Sequence, residues 1–244
     1  MSAVGAIFRR ELLGYFVTPV AYVFLVIFLA LLGALTFYFG DFYARGQADL
    51  GPFFGLHPWL YALLIPALAM RLWAEERDSA TIELLLTLPV TPVQAVLGKF
   101  LAAWVFVLVA LALTAPMWWT VNYLGQPDNG VIVASYIGGA LMAGGFLAIG
   151  GCVSALTRSQ VVAFVVAFVV CFLLLMAGYP LVLDAFRGWA PAGVVEAVAA
   201  LSFQAHFASV QRGVLDLRDG IYFAGLIAFF LYANVAILEM NKGG

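Results

Sequence analysis

Charge is what this chain has least of. Its 244 residues include 11 Lys and Arg, 13 Asp and Glu and 2 His. That is 10% charged residues, against the roughly 25% usual for soluble domains. So few charges cannot cover a water-facing surface. With 65% hydrophobic residues, 21 Phe, 10 Tyr and 6 Trp, the bilayer is the one solvent in which this much apolar surface is not a liability. The composition excludes a soluble enzyme or binding module. A net charge of −2 offers no basic face for nucleic acid. Cysteine is scarce too: Cys152 and Cys171 lie inside apolar runs, without CxxC or Cys/His spacing, and read as packing residues.

What is present is a series of long apolar runs, predicting an all-α integral membrane protein with one transmembrane domain over 1–244. At about 20 residues per span, the length allows roughly five to seven spans. Residues 3–17 place Val4, Phe8, Leu12 and Tyr15 on one stripe, with Arg9, Arg10 and Glu11 largely off it, predicting an amphipathic helix lying along the interface. The apolar run that follows is longer than a signal-peptide core and reads as a retained span. Six spans are predicted, at about 19–39, 56–73, 93–123, 131–156, 161–183 and 220–238. Thr18–Pro19 and Thr91–Pro92 each look like an N-cap followed by a first-turn proline. Asn129–Gly130 gives a turn signal, and the connection 184–219 is too polar for a span yet apolar enough to dip into the interface.

An even number of spans puts both ends of the chain on one side. With that side inside, seven basic residues (Arg9, Arg10, Arg71, Arg77, Lys99, Arg158 and Lys242) face the cytoplasm. Four (Arg45, Arg187, Arg212 and Arg218) face out, three of them in the long last loop. The positive-inside rule therefore favours cytoplasmic termini.

The location of the charges also bears on energy. No charged residue occurs over 100–127, 129–157 or 159–183, whereas ion-coupled carriers keep ionisable groups inside their spans. The GxxxxGK[ST] phosphate loop is missing, as are HExxH and GxSxG. The candidate site is instead the segment 74–91, the most polar in the chain. Glu75, Glu76, Arg77 and Asp78 stand at the membrane boundary. Asp78 or Ser79 is placed to cap a short Leu-rich helix that is apolar nearly all round and therefore asks for contacts on more than one side. The plainer reading is a solvated stop sequence flanking span 2. In span 4 the pairs Gly138/Gly139, Gly144/Gly145 and Gly150/Gly151 read as sites of close helix packing, with flexing during gating as the alternative. His57 and His206 read as hydrogen-bonded boundary residues and Trp118, Trp119, Tyr123 and Trp189 as an aromatic belt.

Residues 73–102, WAEERDSATIELLLTLPVTPVQAVLGKFLA, resemble the signature region of ABC-2 type ABC-transporter permeases. The N-terminal IFRRELLGYFVTPVAYVF and the late RGVLDLRDGIYF are similar to the gliding-motility-associated (Gld-type) subfamily, and also to the permease of the nitrous-oxide reductase maturation system. The resemblance implies a non-catalytic permease subunit of an exporter in a bacterial cytoplasmic (inner) membrane, paired with a second copy or a related permease. It binds no cofactor itself, because ATP and Mg would be bound by separate cytoplasmic ATPase subunits. Carried over by position, the resemblance makes 75–88 a coupling helix. Glu75, Glu76, Arg77 and Asp78 would form its charged approach, Thr81 and Glu83 its polar contacts, and Ile82, Leu84 and Leu85 part of its apolar face. It also implies a connector helix at 3–17 and re-entrant helices near 184–212. Two other readings stay open: an ion-coupled carrier or channel, and a membrane scaffold subunit that moves no solute.

Overall fold

The computed structural model describes residues 3–79, 90–188, 190–214 and 216–240, apart from the side chains of Val20 and Phe186. All regular structure among them is helical. In chain order the helices are α1 Ala3–Val17, α2 Pro19–Tyr38, α3 Gly51–Gly55, α4 His57–Ala69, α5 Arg71–Asp78, α6 Pro92–Ala112, α7 Ala115–Leu124 and α8 Asn129–Leu156. They continue with α9 Gln160–Met176, α10 Pro180–Arg187, α11 Ala192–Ala200, α12 Phe203–Val210 and α13 Leu217–Met240. The predicted positions 81–85 and Trp189 lie outside the described residues.

Helix α8 is the axis around which the others pack, with α4, α5, α6, α9, α12 and α13 all against it. Its glycines make this possible. A Cβ on Gly150 would stand 2.5 Å from the Ala69 Cβ, one on Gly138 2.6 Å from Val210, and one on Gly144 2.9 Å from Ile227. Missing side chains thus let α4, α12 and α13 approach closely, the small-residue packing that replaces hydrophobic driving force inside lipid. Cys152 and Cys171 are free and buried in this packing. The outward faces carry the opposite pattern: Val162, Val166 and Val169 on α9 and Ile221, Phe229 and Tyr232 on α13 are exposed and apolar, as a lipid-facing surface requires.

Among the described residues, four segments are long and apolar enough to cross a membrane: 21–38, 92–124, 129–156 and 217–240. The predicted spans at 56–73 and 161–183 appear as the shorter helices α4, 13 residues, and α9, 17 residues. Three local expectations are revised. The span 93–123 is broken at Leu113–Thr114, because Pro116 has no N–H to donate and its ring would crowd the Ala112 carbonyl. Asn129–Gly130 opens α8 instead of making a turn, since the Asp128 side chain accepts from the N–H groups of Gly130 and Val131 and caps the helix. Thr18 precedes α2 but makes no side-chain cap; its hydroxyl donates to the Tyr15 carbonyl. Thr91, by contrast, forms a full capping box with Gln94 at the start of α6.

The polar connection after α9 folds into an open helical hairpin, α11 and α12, between which the chain bends by 61°. The bend is driven into the bundle: Phe203 stacks on Phe146 with ring centres 4.3 Å apart. From Asn129 to Gly145, which faces Phe203, the distance along α8 is about 24 Å at 1.5 Å per residue. Helix α12 therefore starts well within the depth of the bundle and runs back toward Val131, which Gly213 touches.

Candidate functional site

The charged segment after α4 is a helix, α5, and two devices fix where it points. The first is a hydroxyl. The helical ladder breaks at Met70, and Ser154 of α8 fills the gap: its Oγ accepts from the N–H groups of Trp73 (3.1 Å) and Ala74 (3.0 Å) and donates to the Met70 carbonyl (2.8 Å). One buried side chain satisfies three backbone groups that the break would leave orphaned. The start of α5 is thus tied to the end of α8.

The second device is an ion cluster. Lys99, on α6, is buried with 4% of its side chain exposed. Its Nζ lies 2.8 Å from Glu76 Oε1 on α5 and 3.4 Å from Glu11 Oε1 on α1, and stands over the Trp73 ring at 5.2 Å. Arg10 adds a 2.7 Å bond to Glu11 and a longer 3.9 Å approach to Glu76. With Arg10 counted, the desolvated ammonium and its two carboxylates are balanced in charge, and the cluster joins three elements distant in sequence. Helix α1 can come this close to α6 because position 98 is glycine: a Cβ there would stand 2.7 Å from Ile7 Cγ2, and Ile7 is the buried residue of α1. Burial pushes the Glu11 carboxyl up, but the Lys99 ammonium and the Arg10 guanidinium outweigh it and hold it below its ordinary range.

The four described positions of the predicted charged approach therefore have different surroundings. Glu76 turns inward to Lys99. Glu75 accepts two bonds from Arg71, 2.8 Å from Nε and 3.0 Å from Nη2, which keep its carboxyl below the usual value. Arg77 is partly buried, and desolvation together with the Arg158 guanidinium lowers its pKa. Asp78 is exposed. Ser79 ends α5, its hydroxyl donating to the Glu75 carbonyl. Beside the cluster lies a cavity of about 350 Å³ between α1, α2, α4 and α5, with apolar walls and with Glu11, Arg71, Glu75 and Lys99 at its polar side.

Lys99, Glu11 and Ser154 were not singled out as a site by sequence reasoning. The available signal was Lys99 itself, a cation two turns inside an otherwise apolar helix, which implies a partner. Ser154 carried none, since one serine in a small-residue helix is ordinary packing.

A second polar cluster holds the hairpin. His206 of α12 places Nδ1 2.6 Å from Asp219 of α13 and Nε2 3.0 Å from the Ala200 carbonyl at the end of α11. The carboxylate and the carbonyl fix the ring from its two opposite nitrogens. The Ser209 hydroxyl donates to the other Asp219 oxygen. Tyr222 lies face to face on the imidazole at 3.9 Å and donates to the Leu201 carbonyl. Ser209 bonds the carboxylate and not the imidazole, and the far imidazole nitrogen is occupied by a carbonyl. This is a structural clasp and not a nucleophile with its base. No group of three or more His, Cys, Asp or Glu able to hold a metal occurs among the described residues.

An all-helical bundle with apolar outward faces, a glycine-rich central helix and a charged helix clamped at one end is a multi-pass membrane protein with no catalytic constellation among its described residues. No curated protein matches the chain. The model of the ABC-2 family transporter protein family matches residues 6–237, nearly the whole chain, and the chain belongs to that family.

Proposed function

We propose that this chain is the permease subunit of an ATP-driven ABC-2 type exporter, with six spans in a bacterial inner membrane and both termini in the cytoplasm. Separate ATPase subunits dock beneath it, and a second copy or related permease completes the translocation path. The resemblance further supports placing it near the gliding-motility-associated subfamily. The observation that carries the reading is the mounting of α5. Ser154 ties it to α8 and Lys99 ties it to α1 and α6, so a push on the segment 80–89 that follows is delivered to four elements at once. The sequence contains no phosphate loop of its own and no charge over most of spans 3 to 5, so the work must come from a partner.

On this reading Glu75 and Glu76 brace the coupling segment from within. Asp78, Thr81, Ile82, Glu83, Leu84 and Leu85, with the partly buried Arg77, meet the ATPase. The hairpin α11–α12 is a re-entrant pair on the external side. Copurification in mild detergent with the candidate ATPase tests this. Leu85→Asp and Glu83→Arg should abolish association and ATP-dependent activity while the purified permease keeps its thermal unfolding temperature. Association and activity that survive both changes overturn the coupling assignment, and transport by the purified chain without any ATPase overturns the class.

A further inference from the structure

At the end of the bundle opposite Lys99 lies a cavity of about 270 Å³ that neither the coupling reading nor the family assignment uses. It is formed where the connection before α3, the start of α8 and the end of α12 meet. Asp49 and Asp128 stand at its wall, Phe54 and Ile132 give it apolar sides, and Ser135 and Gln211 reach it from α8 and from the residue after α12. Each carboxylate is already oriented. Asp49 Oδ1 accepts from the Gly51 N–H at 2.8 Å, and Asp128 Oδ1 accepts from Gly130 at 2.8 Å and Val131 at 3.3 Å. Those bonds engage one oxygen of each.

Two further polar groups point to an occupant. Ser135 is 1% exposed and its Oγ has no hydrogen-bond partner among the described residues, nor does the buried Nε2 of Gln211. A buried polar group left unpaired is destabilising, so a hydroxyl and an amide in that state on one cavity wall are a site arranged for a polar guest. The charge says which. Asp49 and Asp128 line the cavity, and Arg45, outside the lining, pairs with Asp49 Oδ2 at 3.4 Å, which leaves the Asp128 charge as the one net negative charge of the wall. Arg212, next to Gln211 in the chain, does not line it. Two carboxylates without a third acidic or imidazole ligand fall short of a metal cage, whereas apolar sides beside one net negative charge suit an amine on a hydrocarbon body.

We propose that this cavity binds a small organic cation, a primary or secondary ammonium group on an apolar body. The ammonium bonds to the second oxygen of Asp128, to the Ser135 hydroxyl and to the Gln211 amide in the orientation that presents its oxygen. The bound amine thereby bridges the α8 and α12 sides of the cavity.

The test uses the purified full chain in nanodiscs, with 2-phenylethylammonium chloride as the probe and 2-phenylethanol as its uncharged counterpart, followed by calorimetric titration. Saturable binding of the ammonium is expected and none of the alcohol. Asp128→Asn should weaken it about tenfold or more, the effect of losing a charged hydrogen bond. That variant keeps the α8 cap, because the Asn oxygen still accepts from Gly130 and Val131. Ser135→Ala should weaken it roughly threefold to tenfold. If Asp128→Asn does not fold, Asp49→Asn, which keeps its bond to Gly51 and removes one negative charge from the wall without touching the ammonium's own bonds, should weaken binding by about threefold. Equal binding of ammonium and alcohol, ammonium binding unaltered in the aspartate variants, or saturable binding of calcium chloride abolished by them would each overturn the proposal.

Discussion

The two polar clusters of this bundle solve the same problem, joining elements that are far apart in sequence, by opposite means. Around Lys99 the tie is made of full charges at the edge of the apolar region: one buried ammonium, two partly exposed carboxylates and a peripheral arginine. Around His206 it is made of a compact hydrogen-bonded clasp with an aromatic lid, its histidine and aspartate side chains each about 10% exposed. The charged tie draws on three helices and, with Ser154, a fourth. The clasp joins only the hairpin to α13. Loss of the first should therefore loosen a whole end of the molecule, and loss of the second a single insertion.

The sharpest way to break that comparison is Lys99→Met, which keeps the apolar stem over Trp73 and removes the charge. Glu76 and Glu11 are left facing each other without their common partner, at a cost of about 3 kcal/mol. Thermal unfolding of the detergent-solubilised protein should shift down accordingly. Adding Glu76→Gln should recover part of the loss, since the repulsion it relieves exists only without Lys99. A double variant no better than the single one would mean the cluster is not coupled as its geometry requires.

Next in size is Ser154→Ala. Two N–H groups and one carbonyl at the α4–α5 break lose their partner, worth about 2 kcal/mol, in the same unfolding measurement. Hydrogen exchange should rise at Trp73 and Ala74 before it rises elsewhere in α5. His206→Gln follows at about 1.5 kcal/mol, because Asp219 keeps Ser209 but loses its other bond. Here the comparison predicts locality: exchange should rise in α11 and α12 and stay unchanged in α5. Equal loosening of both ends would show that the hairpin is not an independent insertion.

Much of this architecture was written in composition and punctuation. The apolar runs marked α2, α6, α8, α9 and α13. Thr91–Pro92 marked the start of α6, because a capping residue followed by proline has one favourable local structure. What could not be read was what touches what. Glu75 and Glu76 are adjacent in sequence and look alike there. Yet Glu76 belongs to Lys99, 23 positions away, and Glu75 to Arg71, one turn back on its own helix. The first pairing depends on how α5 leaves α4, which depends in turn on Ser154, some 80 residues downstream. The glycines of α8 declared close packing, but only the fold says which neighbour each admits.

The smallest predicted effect separates the two glutamates. Glu75 is about half exposed, so Glu75→Gln should cost only about 0.5 kcal/mol, as solvent screens its pair with Arg71. Its signature lies in pH. Both Glu75 and Glu11 have folded-state pKa values below the ordinary 4.5, so the unfolded chain takes up protons first as pH falls. The stabilisation is complete well above the ordinary 4.5 and drains away as pH drops below it and through the lowered folded values. Unfolding measured across that window should show stability falling with acid in the parent, slightly less steeply in Glu75→Gln, and less steeply again when Glu11→Gln is added. If Glu75→Gln removed most of the acid dependence and Glu11→Gln none, the weight of this end would rest on the local Arg71 pair, and the Lys99 tie across helices would lose its place as the stronger half of the comparison.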